Sequence, residues 1–248
     1  ALRVLIPGLF GYRMDTPDGG AYWGAVGENP MLPQLKAAAV NDPQARAMLA
    51  QPGLYRHSGS GEYAGVLVVL LAVFALVQAV RGAAGPFTIG ERAFVWFWAG
   101  IGLIGLLLAF GKYAPFYKVF YSLPYASMIR NPVKFMHPFH LAVVVLCGYG
   151  LHALAQQFVK NTGSATLGLS EHVSQWWAGV KGFERRWTLA TGGLAALSFI
   201  ALLLYSSARK DLEKHLGEVA LGGETGRAIA AHSIGEVGIF ALFLTLSV

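Results

Sequence analysis

The chain has 248 residues, of which 55% are hydrophobic and 13% charged, and it carries a formal net charge of +6 with a single cysteine. Several stretches of about 18 or more residues hold no Asp, Glu, Lys or Arg, which is the pattern of an integral membrane protein rather than a soluble domain. The basic residues lie beside these stretches, where they meet lipid phosphates, so no nucleic-acid partner is expected, and one cysteine excludes an intrachain disulfide or a cysteine cluster.

The first ten residues are interrupted by Arg3, Pro7 and Gly8 and lack the ordered regions of a signal peptide. Both ends read as cut, one without an initiator Met and the other inside an apolar run, so the expectation is a fragment of a longer polytopic protein. Residues 1–62 form a Gly/Pro-rich region. Within it YRMDTPDGGAYWG sets Asp15 and Asp18 around Thr16-Pro17. Two carboxylates at that spacing suit a divalent cation shared with a sugar phosphate, and they equally suit the capping and closing of turns. Residues 34–49 read as a short surface helix broken near Asp42-Pro43.

The expected fold is all-α, a polytopic helix bundle with spans at about 63–80, 93–110, 135–158, 188–206 and 228–248. RGAAGPFTIGER, residues 81–92, is a tight connection, and Trp96 and Trp98 suit an aromatic belt at the entry of the second span. Gly100, Gly102 and Gly105 offer a neighbouring helix a close approach.

Between the second and third spans lies GKYAPFYKVFYSLPYASMIRNPVKFMHPFHL, residues 111–141. Four prolines cut it into short pieces, because each disfavours helix before it and donates no backbone hydrogen bond. Phe116, Tyr117, Phe120, Tyr121 and Leu123 form a short amphipathic helix at the membrane interface. Lys112, Arg130 and Lys134 then stand at the rim of the bilayer, suited to an anionic head group or a phosphate and equally to ordinary interfacial anchoring. His137 and His140 enter the third span one turn apart, and His152 stands near its exit. With no third partner in reach, hydrogen bonding is the expected use and no metal site is assigned.

The stretch SEHVSQWWAGVKGFERRW, residues 170–187, reads as a basic amphipathic helix lying on the membrane surface. Residues 208–227 form a polar loop, helical through about 211–219. The last run holds His232 and Glu236 on one face, and a carboxyl within a span points to a partner, a polar cavity or a wet interface.

Five short motifs occur in order: Tyr63-Ala64-Gly65; Gly111-Lys112-Tyr113-Ala114-Pro115-Phe116-Tyr117; Tyr121-Ser122-Leu123-Pro124; Ile129-Arg130-Asn131-Pro132-Val133-Lys134-Phe135; and Cys147-Gly148-Tyr149-Gly150-Leu151. Together they resemble the bacterial YfhO-like membrane proteins, over about residues 61–154. That resemblance implies a protein similar to the GT-C glycosyltransferases, which move a sugar from a polyprenyl-phosphate carrier to an acceptor at the outer face of the bacterial cytoplasmic membrane. It places residues 1–62 and 111–135 outside and 159–187 inside. Arg130 is then the first choice for the carrier phosphate, with Lys134, Lys112 and His137 beside it, and Tyr117 and Tyr121 stack on the sugar or shield the prenyl chain.

The chain departs from the pattern in one respect, since GT-C enzymes carry their acidic catalytic residue in the loop after a first span. That loop is expected outside these residues, and Asp15 and Asp18 are catalytic candidates by chemistry alone. Two other readings compete: a non-catalytic subunit binding lipids and other membrane subunits, and a transporter of a lipid-linked substrate that uses His232 and Glu236. The transporter would need an inverted repeat, and none is seen.

Overall fold

A computed structural model of the chain describes residues 4–9, 32–49, 63–114, 116–124, 126–128, 132–158, 177–216 and 223–247. Among these residues the chain is all-α, with nine helices and no strand, as its composition implies. In chain order they are α1 (Leu32–Ala38), α2 (Pro43–Leu49), α3 (Val66–Val80), α4 (Ile89–Ala109), α5 (Tyr117–Tyr121), α6 (Met136–Phe158), α7 (Gly182–Ser207), α8 (Arg209–Leu216) and α9 (Gly223–Leu246).

Four stretches, Ile89–Ala109, Pro132–Gln157, Gly182–Ser207 and Gly226–Leu246, are long and apolar enough to cross a membrane. Large apolar side chains point outward along them, among them Phe97, Ile104, Leu203 and Leu204, each more than half exposed. Water would penalise such a surface and lipid does not, so the chain is a multi-pass membrane protein.

The expected first span is the exception. Gly65 adopts φ +92 and extended backbone, so helix begins only at Val66, and α3 has 15 residues. At 1.5 Å per residue it is about 22 Å long, short of the roughly 30 Å hydrocarbon core. A second correction concerns α4, which starts at Ile89 rather than near Ala93. Thr88 and Glu91 form a reciprocal capping box that draws the charged residues into the first turn. A third concerns the surface helix expected to end at Trp187. After Gly182, at φ +63, Phe183 to Trp187 open the long α7 itself, while residues 170–176 lie outside the described ones.

The chain divides into two compact units, Ala1–Tyr63 with Leu194–Leu242, and Ala64–Gly193 with Phe243–Val248. In the first, Asp42 accepts from the Gln44 N–H at 2.8 Å and so starts α2, and Arg46 donates to the carbonyls of Ala39 and Val40 just after α1. Leu216, Ile229 and Ala230 pack together against Leu212.

In the second unit the core is built largely of small residues, including Ala72, Ala75, Ala79 and Ala153, around Phe74, Phe87 and Val95. Small side chains let helices approach until backbone meets backbone. A Cβ on Gly150 of α6 would collide with the Leu71 carbonyl of α3, one on Gly102 of α4 would lie 3.3 Å from Ala142 Cβ, and one on Gly105 would lie 3.0 Å from the Phe135 carbonyl oxygen. Two of the three glycines read from the sequence therefore serve helix packing. A Cβ on Gly100 would meet nothing within 4 Å, and Gly150, read from the sequence only as part of a motif, serves the tightest of these crossings.

Candidate functional site

The Pro/aromatic segment builds a shelf across the end of α4 and the head of α6. Helix α4 closes at Ala109, and Gly111 turns the chain at φ +53, a conformation that favours glycine. A Cβ there would also lie 2.7 Å from Pro132 Cγ. The two ends of the segment are thus in contact. The backbone of Lys112 lies beside a single 3₁₀ turn, Pro132–Phe135, that carries Lys134 into α6.

Between these ends, α5 is one turn and a half, entered through a Tyr117 N–H to Ala114 carbonyl bond of 3.0 Å and closed by Ser122 Oγ donating to the Val119 carbonyl. Tyr117 is buried, and it stacks on Tyr121 with centroids 6.1 Å apart and tilts onto Phe120 at 5.7 Å. Phe120 meets Phe135 edge-on at 5.5 Å, which fastens α5 to the turn beneath α6. These ring pairs fix a small helix too short to stand alone.

What the shelf presents is cationic and aromatic. Lys134 and His137 are exposed at the head of α6, and Tyr113 and Tyr121 of the same segment are exposed as well. No carboxylate occurs between Gly111 and Phe158. The side chain of Lys112, all of Arg130, and both Asp15 and Asp18 lie outside the described residues. His140 donates its Nδ1–H to the Met136 carbonyl of its own helix at 2.7 Å. Among the described residues no group of three His, Cys, Asp or Glu side chains could hold a metal ion.

His232 and Glu236, on one face of α9, bring Nε2 and Oε1 within 3.9 Å. The backbone of Gly8 packs directly on both side chains, so a larger residue there would require them to shift. Buried Ser233 donates to the Leu9 carbonyl at 2.5 Å, and Tyr205 Oη lies 2.9 Å from Ser233 Oγ.

Sequence reasoning missed a polar string at the opposite end of α3 and α6. Arg81 Nη1 donates to Gln78 Oε1 at 2.7 Å, Gln78 Nε2 to Gln157 Oε1 at 3.0 Å, and Gln157 Nε2 to Glu184 Oε1 at 2.7 Å. Every donor faces the same way along the string, from cation to carboxylate. The Arg81 guanidinium also covers the Phe183 ring at 4.2 Å. Close by in the fold, His152 Nε2 stands 3.1 Å from Glu91 Oε1 and its ring stacks on Phe87. The available signal was two glutamines at the charged ends of apolar runs.

Comparison with known proteins yields no relative: no protein-family model, no curated protein and no solved structure matches the chain. The chemistry of the shelf itself therefore carries the functional reading. An exposed lysine beside packed aromatic rings at the head of a membrane helix suits an anionic group attached to a lipid.

Proposed function

We propose that this chain is the membrane-embedded part of a glycosyltransferase-like protein of the bacterial cytoplasmic membrane, holding a polyprenyl-phosphate-linked sugar at the shelf. The observation that carries the reading is the contact of Gly111 with Pro132. It sets the Lys112 backbone beside the turn that carries Lys134 into α6, and Arg130 stands two residues before that turn in the sequence. In sugar transfer the bond between the anomeric carbon and the phosphate oxygen breaks and its electron pair stays on the phosphate. Fixed cations offset that growing charge in the transition state. The acceptor hydroxyl forms the new bond and gives its proton to a base.

The test is transfer from a polyprenyl-phosphate sugar in proteoliposomes containing the full protein. Arg130→Ala and Lys134→Ala are each expected to lower kcat/KM by about 100-fold, as loss of a transition-state charge partner does, with unchanged unfolding temperature. Unchanged transfer in both variants would refute the reading.

One observation favours a second reading, a non-catalytic subunit that binds lipid phosphate for a partner enzyme. Residues 111–158 contain no Asp or Glu, so the segment that forms the shelf brings no carboxylate base of its own. Binding of the lipid phosphate without any transfer by the wild-type protein would decide for it.

A further inference from the structure

The connection between α3 and α4 holds a cation that the fold leaves unanswered. Arg92, the fourth residue of α4, is half-buried, and its Nε is buried without a hydrogen-bond partner. Its Nη1 comes up against Gly82, where φ is +61 and a Cβ would lie 3.3 Å away. Arg81, one residue before Gly82, brings a second cation to this turn, with its Nη1 committed to Gln78 and its guanidinium to the Phe183 ring. The carboxylates of this end are committed elsewhere. Glu91 Oε2 accepts from the Thr88 N–H and hydroxyl at 2.8 Å, Glu91 Oε1 faces His152, and Glu184 accepts from Gln157. Among the described residues neither Arg81 nor Arg92 has an ion pair.

A part-buried guanidinium without a counter-ion carries a desolvation cost that no bond offsets. The place of Arg92 in the first turn of α4 also sets it against the helix dipole, which favours negative charge there. An anion seated on the guanidinium lowers both costs. The depth of the site indicates which anion. The contact of His152 with Glu91 puts the first turn of α4 about 24 Å along α6 from Met136 and the shelf, at 1.5 Å per residue. A helical side chain leans toward the N-terminus of its helix, here away from the shelf, so the guanidinium stands near the far boundary of a hydrocarbon core of about 30 Å. Phosphate is the anion of that boundary, and the planar fork of arginine matches two of its oxygens.

We propose that Arg92, supported by Arg81, binds one phosphate group at the membrane face opposite the shelf. This site stands whether or not the shelf holds a carrier. Lys181, Arg185 and Arg186 of the same end are exposed and suit ordinary anchoring at a bilayer rim, whereas Arg92 is seated against the Gly82 turn. Val80, Ile89 and Phe94, which flank the two arginines in sequence, are each more than half exposed, so a phosphate that carries hydrocarbon has apolar surface to lie along.

The experiment is hydrogen exchange read by mass spectrometry on the full protein in neutral detergent, titrated with dioctanoyl phosphatidic acid, with dioctanoylglycerol or with inorganic phosphate. Peptides covering residues 78–92 report on this site and those covering 111–141 on the shelf, so the two are read apart. Phosphatidic acid is expected to slow exchange over residues 82–92, and dioctanoylglycerol to leave it unchanged. Arg92→Gln is expected to raise the half-saturating concentration about tenfold, the worth of one charge-assisted contact, while Arg185→Gln with Arg186→Gln leaves it at the wild-type value. Arg92→Lys keeps the charge and gives up the fork, so a smaller loss is expected, and it carries the test if the glutamine variant fails to fold. Inorganic phosphate that protects the same residues at the same concentration supports the site with a free phosphate as occupant, and protection by the lipid alone supports a head group. Equal protection by dioctanoylglycerol, wild-type affinity in each Arg92 variant that folds, or an equal loss in the Arg185 and Arg186 double variant would overturn the site.

Discussion

The two ends of the α4–α6 pair solve opposite problems. At the Gln78 end, amides, a guanidinium and a carboxylate close upon one another across three helices, and Glu91 is shared between its own capping box and His152. At the shelf end the ring contacts are internal, while Lys134 and His137 are exposed. In lipid an unmatched polar group is expensive, so a closed string holds helices together and an exposed cationic rim is left for a partner. Stability is therefore expected to reside in the closed string and recognition in the cations left outside it.

The sharpest way to break this contrast is Gly150→Val. The new side chain would drive α6 off the Leu71 carbonyl, and unfolding in detergent should show a loss of about 3 kcal/mol or more. A loss below 0.5 kcal/mol, the range of ordinary surface changes, would mean that the two helices do not cross there.

Next in size is the string. Gln78→Leu removes the fully buried amide that accepts from Arg81 and donates to Gln157, and should cost about 1–2 kcal/mol. Gln78→Leu with Gln157→Leu should cost less than the sum of the two single changes, because both ends of one bond are then gone. Strict additivity would dissolve the string into independent contacts.

Much of this architecture was legible. Four of the five apolar runs became helices of spanning length, and Tyr117 to Tyr121 became a short helix between the prolines. The errors have local causes. Glu91 and Arg92 looked like loop residues, although Thr88 three positions before Glu91 is a capping box that admits charge into a first turn. Tyr63 to Val80 looked long enough to span because apolarity does not reveal that Gly65 holds a left-handed φ.

For the candidate site, composition identified the aromatic and basic residues, but only the Gly111–Pro132 contact joins the two ends of the segment. The polar string was illegible for a different reason. Gln78 and Gln157 stand 79 residues apart, and an amide in an apolar run carries no periodic signal of its partner. Gly150 belonged to a recognised motif, yet nothing in that motif indicates that Leu71 lies against it.

The smallest expected effect on stability is at the shelf, and there the central claim is tested most directly. Lys134→Ala in the full protein should change unfolding free energy by less than about 0.5 kcal/mol, as an exposed side chain does. The measurement is binding of polyprenyl phosphate in nanodiscs by wild type and Lys134→Ala, with neutral polyprenol as the reference. The account predicts that the wild type prefers the phosphate and that the variant loses about tenfold of that preference, the worth of one charge-assisted contact. Equal preference in the two proteins, or none in the wild type, would contradict the assignment of the shelf to a lipid phosphate.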